Sequence, residues 1–113
     1  MEPEERSAQI LIGDTAYTLV LTTKATKEIA ARYGGLETLG DKLMKNENME
    51  MALDEIVWLI TLLANQSILI ANLKDREHPK PLLQQEEVEL LTSPFDLASY
   101  KSAIVEADRK SVV

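Results

Sequence analysis

Cysteine is absent from this 113-residue chain, histidine occurs once, and glycine and proline occur four times each. Without thiols there is no disulfide framework, thiolate nucleophile, iron–sulfur site or cysteine-held zinc, so a reducing cytoplasm is the expected setting. Aromatics are scarce, with one Trp, one Phe and three Tyr, although 45% of residues are hydrophobic. The core must therefore be aliphatic. Positive charge is short as well, 12 Lys and Arg against 19 Asp and Glu, for a net charge of -7. Gripping nucleic acid phosphates needs a basic face, so no nucleic-acid partner is expected. The mildly basic stretch over 8–45 (Lys24, Lys27, Arg32, Lys42, Lys45) also carries four acids. Residues 1–6 (MEPEER) put three acids and one base ahead of any apolar run, the reverse of a secretory leader.

One domain is expected at this length, with residues 1–7 a flexible N-terminus and 8–113 a single α+β, mostly helical domain. Its first element is a β-hairpin over 8–21: Gln9–Ile12 and Ala16–Leu21 are β-rich and flank Gly13-Asp14, a pair suited to a two-residue turn. That turn pairs Ile12 with Thr15 and Ile10 with Tyr17. Ile10, Ile12, Tyr17, Leu19 and Leu21 then share one face, while Gln9, Leu11, Ala16, Thr18 and Val20 form a mixed opposite face. Two strands alone are marginal in water, so the hairpin must pack on a small bundle of about five helices or on another subunit.

The helices follow from caps and periodicity. Thr22 or Thr23 caps a helix to Tyr33 that Gly34-Gly35 stops. A second is expected over Leu36–Lys45. From about Asn48 to Lys74 the sequence is apolar almost all round a helix, with Asp54, Thr61, Asn65 and Asn72 in one narrow strip. Such a helix is the centre of a bundle. Ile56–Leu73 matches a membrane span in length, but its five polar residues and the acids crowding its start argue against one. Asp75–Pro81 (DREHPKP) is a loop, since two prolines break any helix there. Leu82–Leu91 is a predicted helix with Leu83, Val88, Leu90 and Leu91 inward. Ser93-Pro94-Phe95-Asp96 spells a helix start, and Leu97, Tyr100, Ala103, Ile104 and Ala107 form the inner face of the last helix.

Reactive constellations are missing. His78 stands in the loop without a thiol partner, Glu86, Glu87 and Glu89 read as a solvated face favouring a helix N-terminus, and neither Asp14 nor Gly34-Gly35 has a phosphate-loop context. No catalytic residue, metal or cofactor is expected, and the chain is read as a non-enzyme. Trp58, Leu62 and Leu69 form a stripe beside the polar strip. It is either core packing or a seam for a partner's amphipathic helix, and Phe95 and Tyr100 are candidate aromatic anchors beside it.

The opening run, with Tyr17-Thr18-Leu19, Leu21-Thr22-Thr23 and Ile29–Leu36 (IAARYGGL), together with Leu91–Leu97 (LTSPFDL) ahead of a helix ending near Glu106-Ala107, resembles the tail assembly chaperones of long-tailed bacteriophages and their prophage remnants. The resemblance spans roughly residues 10–108 and rests on structural punctuation rather than reactive groups. It implies a cytoplasmic, non-enzymatic protein of the bacterial host that coats the tape measure protein and recruits tail tube subunits. Many such proteins also have a longer form made by ribosomal frameshifting, which would begin here near 107–113. Self-association through the hairpin edges is expected, with no membrane partner. The alternative is a small regulatory adaptor or antitoxin-like module that binds one protein partner.

Overall fold

The chain begins as an antiparallel hairpin, β1 (Ser7–Ile12) and β2 (Thr15–Val20), in the expected register, Ile10 opposite Tyr17 and Ile12 opposite Thr15. Gly13 takes φ +61° at the turn, a conformation that L side chains rarely adopt. The computed structural model describes residues 7–34, 49–97, 99–100 and 103–104. After the hairpin come α1 (Thr23–Tyr33), α2 (Met49–Lys74) and α3 (Gln85–Leu91). Helical residues at 94–97, 99–100 and 103–104 make up α4. The α+β, mostly helical class therefore holds with four described helices rather than about five. The helix expected over Leu36–Lys45 lies outside the described residues, as do residues 1–6 of the flexible stretch expected over 1–7, whose last residue, Ser7, is the first of β1.

The hairpin faces divide largely as the alternation predicts. Ala8, Ile10, Ile12, Leu19 and Leu21 are buried and Tyr17 packs against them, while Leu11 and Ala16 face outward. Val20, on the outward register, is buried as well. The core is aliphatic: α2 lies on β2 and contributes Ile56, Val57, Leu59, Ile60, Leu63 and Ala64, and the other helices close around them with Ala25, Ile29, Val88, Leu97 and Ile104.

Caps and two buried polar side chains set the helix positions. Thr22 caps α1, its hydroxyl oxygen accepting from the Ala25 N–H at 3.0 Å and donating to Gln66 Oε1 on α2. Gln66 is buried yet satisfied, because its Nε2 also donates to the Leu62 carbonyl at 3.1 Å. Buried Thr61 does likewise, donating to the Val57 carbonyl at 2.7 Å. Gly34 ends α1 at φ +81°, its N–H bonded to the Ala30 carbonyl. α4 starts on a reciprocal cap, in which the Ser93 N–H donates to Asp96 Oδ2 at 2.9 Å and the Asp96 N–H to Ser93 Oγ at 3.2 Å.

Two expectations fail in the segment after α2. The helix predicted from Leu82 begins only at Gln85, and residues 81–84 are outside regular structure. Leu83 and Val88 are buried as expected, but Leu90 and Leu91 face solvent. The cause is an anchor absent from any periodicity: the backbone of Leu83 is bonded to Asn65 on α2, so Leu83 cannot be the second residue of a helix.

Candidate partner-binding surface

The strip Asp54, Thr61, Asn65, Asn72 on α2 is in part a latch. Asn65 Nδ2 donates to the Leu83 carbonyl at 2.8 Å while its Oδ1 accepts from the Leu83 N–H at 2.7 Å. Asn72 does the same to Lys80, at 3.0 and 2.7 Å. Seven residues along a helix rise about 10.5 Å, and three extended residues span about 10 Å. The two asparagines therefore match the spacing of Lys80 and Leu83 on a chain running antiparallel to α2. Pro81 biases Lys80 toward extended backbone and removes one competing N–H. A signal in the sequence existed: two amides seven apart on an apolar helix, followed by a Pro-X-Pro segment.

The strap returns along one side of α2. Trp58 and Leu62 are half-buried at the edge of the core and pack against it. The Arg32 guanidinium stands 4.4 Å over the Trp58 ring centre, a cation–π contact joining the last turn of α1 to α2. Leu69 lies one to two turns further on, half-buried among Ile68, Ile70 and Ala71, none of which is fully covered, and Leu73 is 64% exposed. The stripe Trp58–Leu62–Leu69 thus runs from the core margin along a partly covered apolar helix end. Leu53–Lys74 is also long and apolar enough to cross a membrane by length and composition, with mean hydropathy 1.8 and 44% of the window buried inside the fold.

The two aromatic anchors separate. Phe95 is 87% exposed on the first turn of α4. Tyr100 faces inward, buried, its hydroxyl donating to the Leu11 carbonyl. With Ile12 opposite Thr15 at the turn, alternation of the ladder turns the Leu11 carbonyl away from β2. Tyr100 therefore fastens α4 to the outer edge of β1, and of the two aromatics only Phe95 is exposed. Burial raises the Tyr100 pKa above the ordinary 10.0, and the neighbouring Asp96 carboxylate adds to the rise.

Two open clefts border α4. One of about 460 Å³ lies between the hairpin and α4, lined by Ile10, Leu11, Ala16, Asp96, Tyr100 and Ala103 among others. The second, about 240 Å³, lies between α2 and the α3–α4 junction, against Val57, Glu89, Pro94 and Leu97. Among the described residues no three His, Asp or Glu side chains stand together as a metal site. His78 is exposed in its loop, 3.3 Å from Asp75, and Glu87 accepts from the Gln84 N–H at the start of α3. No protein-family model, curated protein or solved structure matches this chain.

Proposed function

We propose that this protein is a tail assembly chaperone of a long-tailed phage or prophage, which binds the helical tape measure protein and recruits tail tube subunits in the bacterial cytoplasm without catalysing a reaction. The observation that carries this reading is the second half of α2. A helix committed to the core for three turns continues for two more with Ile68, Leu69, Ile70 and Leu73 incompletely covered. A helix-in-groove or helix-on-helix contact takes such a surface as one wall. The net charge of -7 keeps a protein that handles apolar clients soluble. Self-association belongs to the same reading, since coating a long client requires many copies.

Co-expression with a phage tape measure protein tests this. The chaperone should co-purify with the tape measure in many copies per client, and Leu73→Ser, at a position 64% exposed, should weaken capture while leaving the thermal midpoint of the free protein nearly unchanged. Failure of the intact chain to co-purify would reject the assignment. A strict one-to-one complex with some other protein would favour the adaptor alternative.

A further inference from the structure

The smaller cleft differs in kind from the apolar surface at the end of α2. It lies between the first turns of α2 and the junction of α3 with α4, and holds about 240 Å³. Buried Val57 and Leu97, half-buried Leu53 and exposed Pro94 give it an apolar lining. Two carboxylates line the same cleft, Asp54 from α2 and Glu89 from α3, and both residues are exposed. Among the described residues neither carboxylate has an ion-pair or hydrogen-bond partner. The hydroxyls beside them are engaged: Thr92 donates to the Val88 carbonyl at 2.6 Å, and Ser93 Oγ accepts from the Asp96 N–H at 3.2 Å.

Size, charge and lining together select an occupant. The 240 Å³ of this cleft fall short of the roughly 300–1,000 Å³ of small-molecule sites and suit one long side chain. Its uncommitted carboxylates only accept hydrogen bonds, so the occupant must donate, and it must carry positive charge to meet two anions. The apolar lining calls for an aliphatic stem behind that charge. Arginine has both, and its planar fork of N–H donors can serve carboxylates that approach from two helices at once. We propose that this cleft takes an arginine side chain presented by a different protein, its stem against Leu53, Val57 and Leu97 and its guanidinium between Asp54 and Glu89. A chain of net charge -7 draws a basic partner more strongly than another copy of itself. Leu69 lies about 22 Å further along α2 than Asp54, so the cleft is a second contact site, independent of the tape measure reading.

The intact, isotope-labelled protein can be titrated by NMR with two blocked tripeptides, one carrying arginine between glycines and the other citrulline, which keeps the stem and shape of arginine without its charge. With the arginine peptide the amide resonances of Asp54, Val57, Glu89 and Leu97 should shift and saturate with a Kd on the order of 1 mM. The citrulline peptide should bind at least about tenfold more weakly. Raising salt from about 20 to about 200 mM should weaken the arginine peptide by about threefold or more. Asp54→Asn with Glu89→Gln, at two exposed positions, should remove the binding and leave circular dichroism unchanged. Glu77→Gln with Glu86→Gln removes the same charge from exposed positions outside the cleft and should keep binding within about twofold of the wild type. No shift at the cleft, equal binding of the two peptides, or equal losses in the two double variants would overturn the proposal. So would a dimer that dissociates in Asp54→Asn with Glu89→Gln, by making an arginine of a second copy the occupant. Tape-measure capture is a separate readout. Its absence defeats the chaperone assignment and leaves the cleft standing, whereas a cleft that ignores arginine leaves that assignment untouched.

Discussion

From Ile56 to Ala64, α2 presses Ile56, Val57, Leu59, Ile60, Leu63 and Ala64 into the core. From Ser67 to Leu73 the same helix, still rich in Ile and Leu, has no fully buried side chain. Hydrophobicity is therefore a poor guide to which part of this helix is core and which part is surface. The difference lies in the neighbours: the first half packs into the core with Leu19 of β2 and Leu21 just beyond it, and the second half meets a strap held by four hydrogen bonds from two asparagines and by buried Leu83. One half is kept by packing and the other by amide-to-backbone bonding, so the two should respond differently to mutation.

The sharpest way to break that contrast is to truncate one leucine in each half. Leu59→Ala should cost about 3 kcal/mol, the usual toll of a cavity in a close-packed core, and Leu69→Ala about 1 kcal/mol, because its site is only partly buried. Urea denaturation compares them, and equal losses would mean that the second half is as buried as the first. The latch comes next. Asn65→Ala strands the N–H and carbonyl of buried Leu83 and should cost about 2 kcal/mol, whereas Asn72→Ala, at an exposed site that water can fill, should cost less than about 1 kcal/mol. Hydrogen exchange should accelerate at the Leu83 amide in the first variant and at the Lys80 amide in the second.

Tyr100 extends the same contrast to α4, where Leu97 and Ile104 hold by packing and the phenol by one hydrogen bond to Leu11. Tyr100→Phe should cost about 1 kcal/mol at neutral pH. Because the folded state raises the Tyr100 pKa, the unfolded chain releases this proton first. Its contribution to stability is complete below a pH of about 10 and declines as pH rises past that value, so the loss on alkaline titration should be shallower in Tyr100→Phe. The smallest effect belongs to Arg32→Ala, which removes the guanidinium from the Trp58 face. It should cost about 0.5 kcal/mol, since Arg32 is exposed, and should shift the emission of the single tryptophan.

Much of the fold was legible from local chemistry. The hairpin register follows from a Gly-Asp turn flanked by alternating side chains, the ends of α1 from Thr22 and Gly34, and the start of α4 from Ser93 and Asp96. Each of these depends on residues within four positions of one another. The start of α3 does not follow from helical periodicity, because the residues bonded there, Asn65 and Leu83, are eighteen apart, and only the paired amides with the Pro-X-Pro segment hint at it. Of the candidate site, Phe95 is exposed on the first turn of α4. Tyr100, equally aromatic and five residues on, lies on the opposite side of α4 and is spent on the β1 edge.

By itself the sequence determined an acidic, thiol-free, mostly helical α+β chain, its turns and caps, and the one long apolar helix around which everything packs. Those properties depend on composition and on interactions that span a single turn of chain. Only the tertiary structure decided which half of that helix is core, which asparagines hold the strap, and which leucines stay in solvent. Burial is a property of what comes to lie alongside a side chain, and in this protein the deciding neighbours are strands and straps far away in sequence.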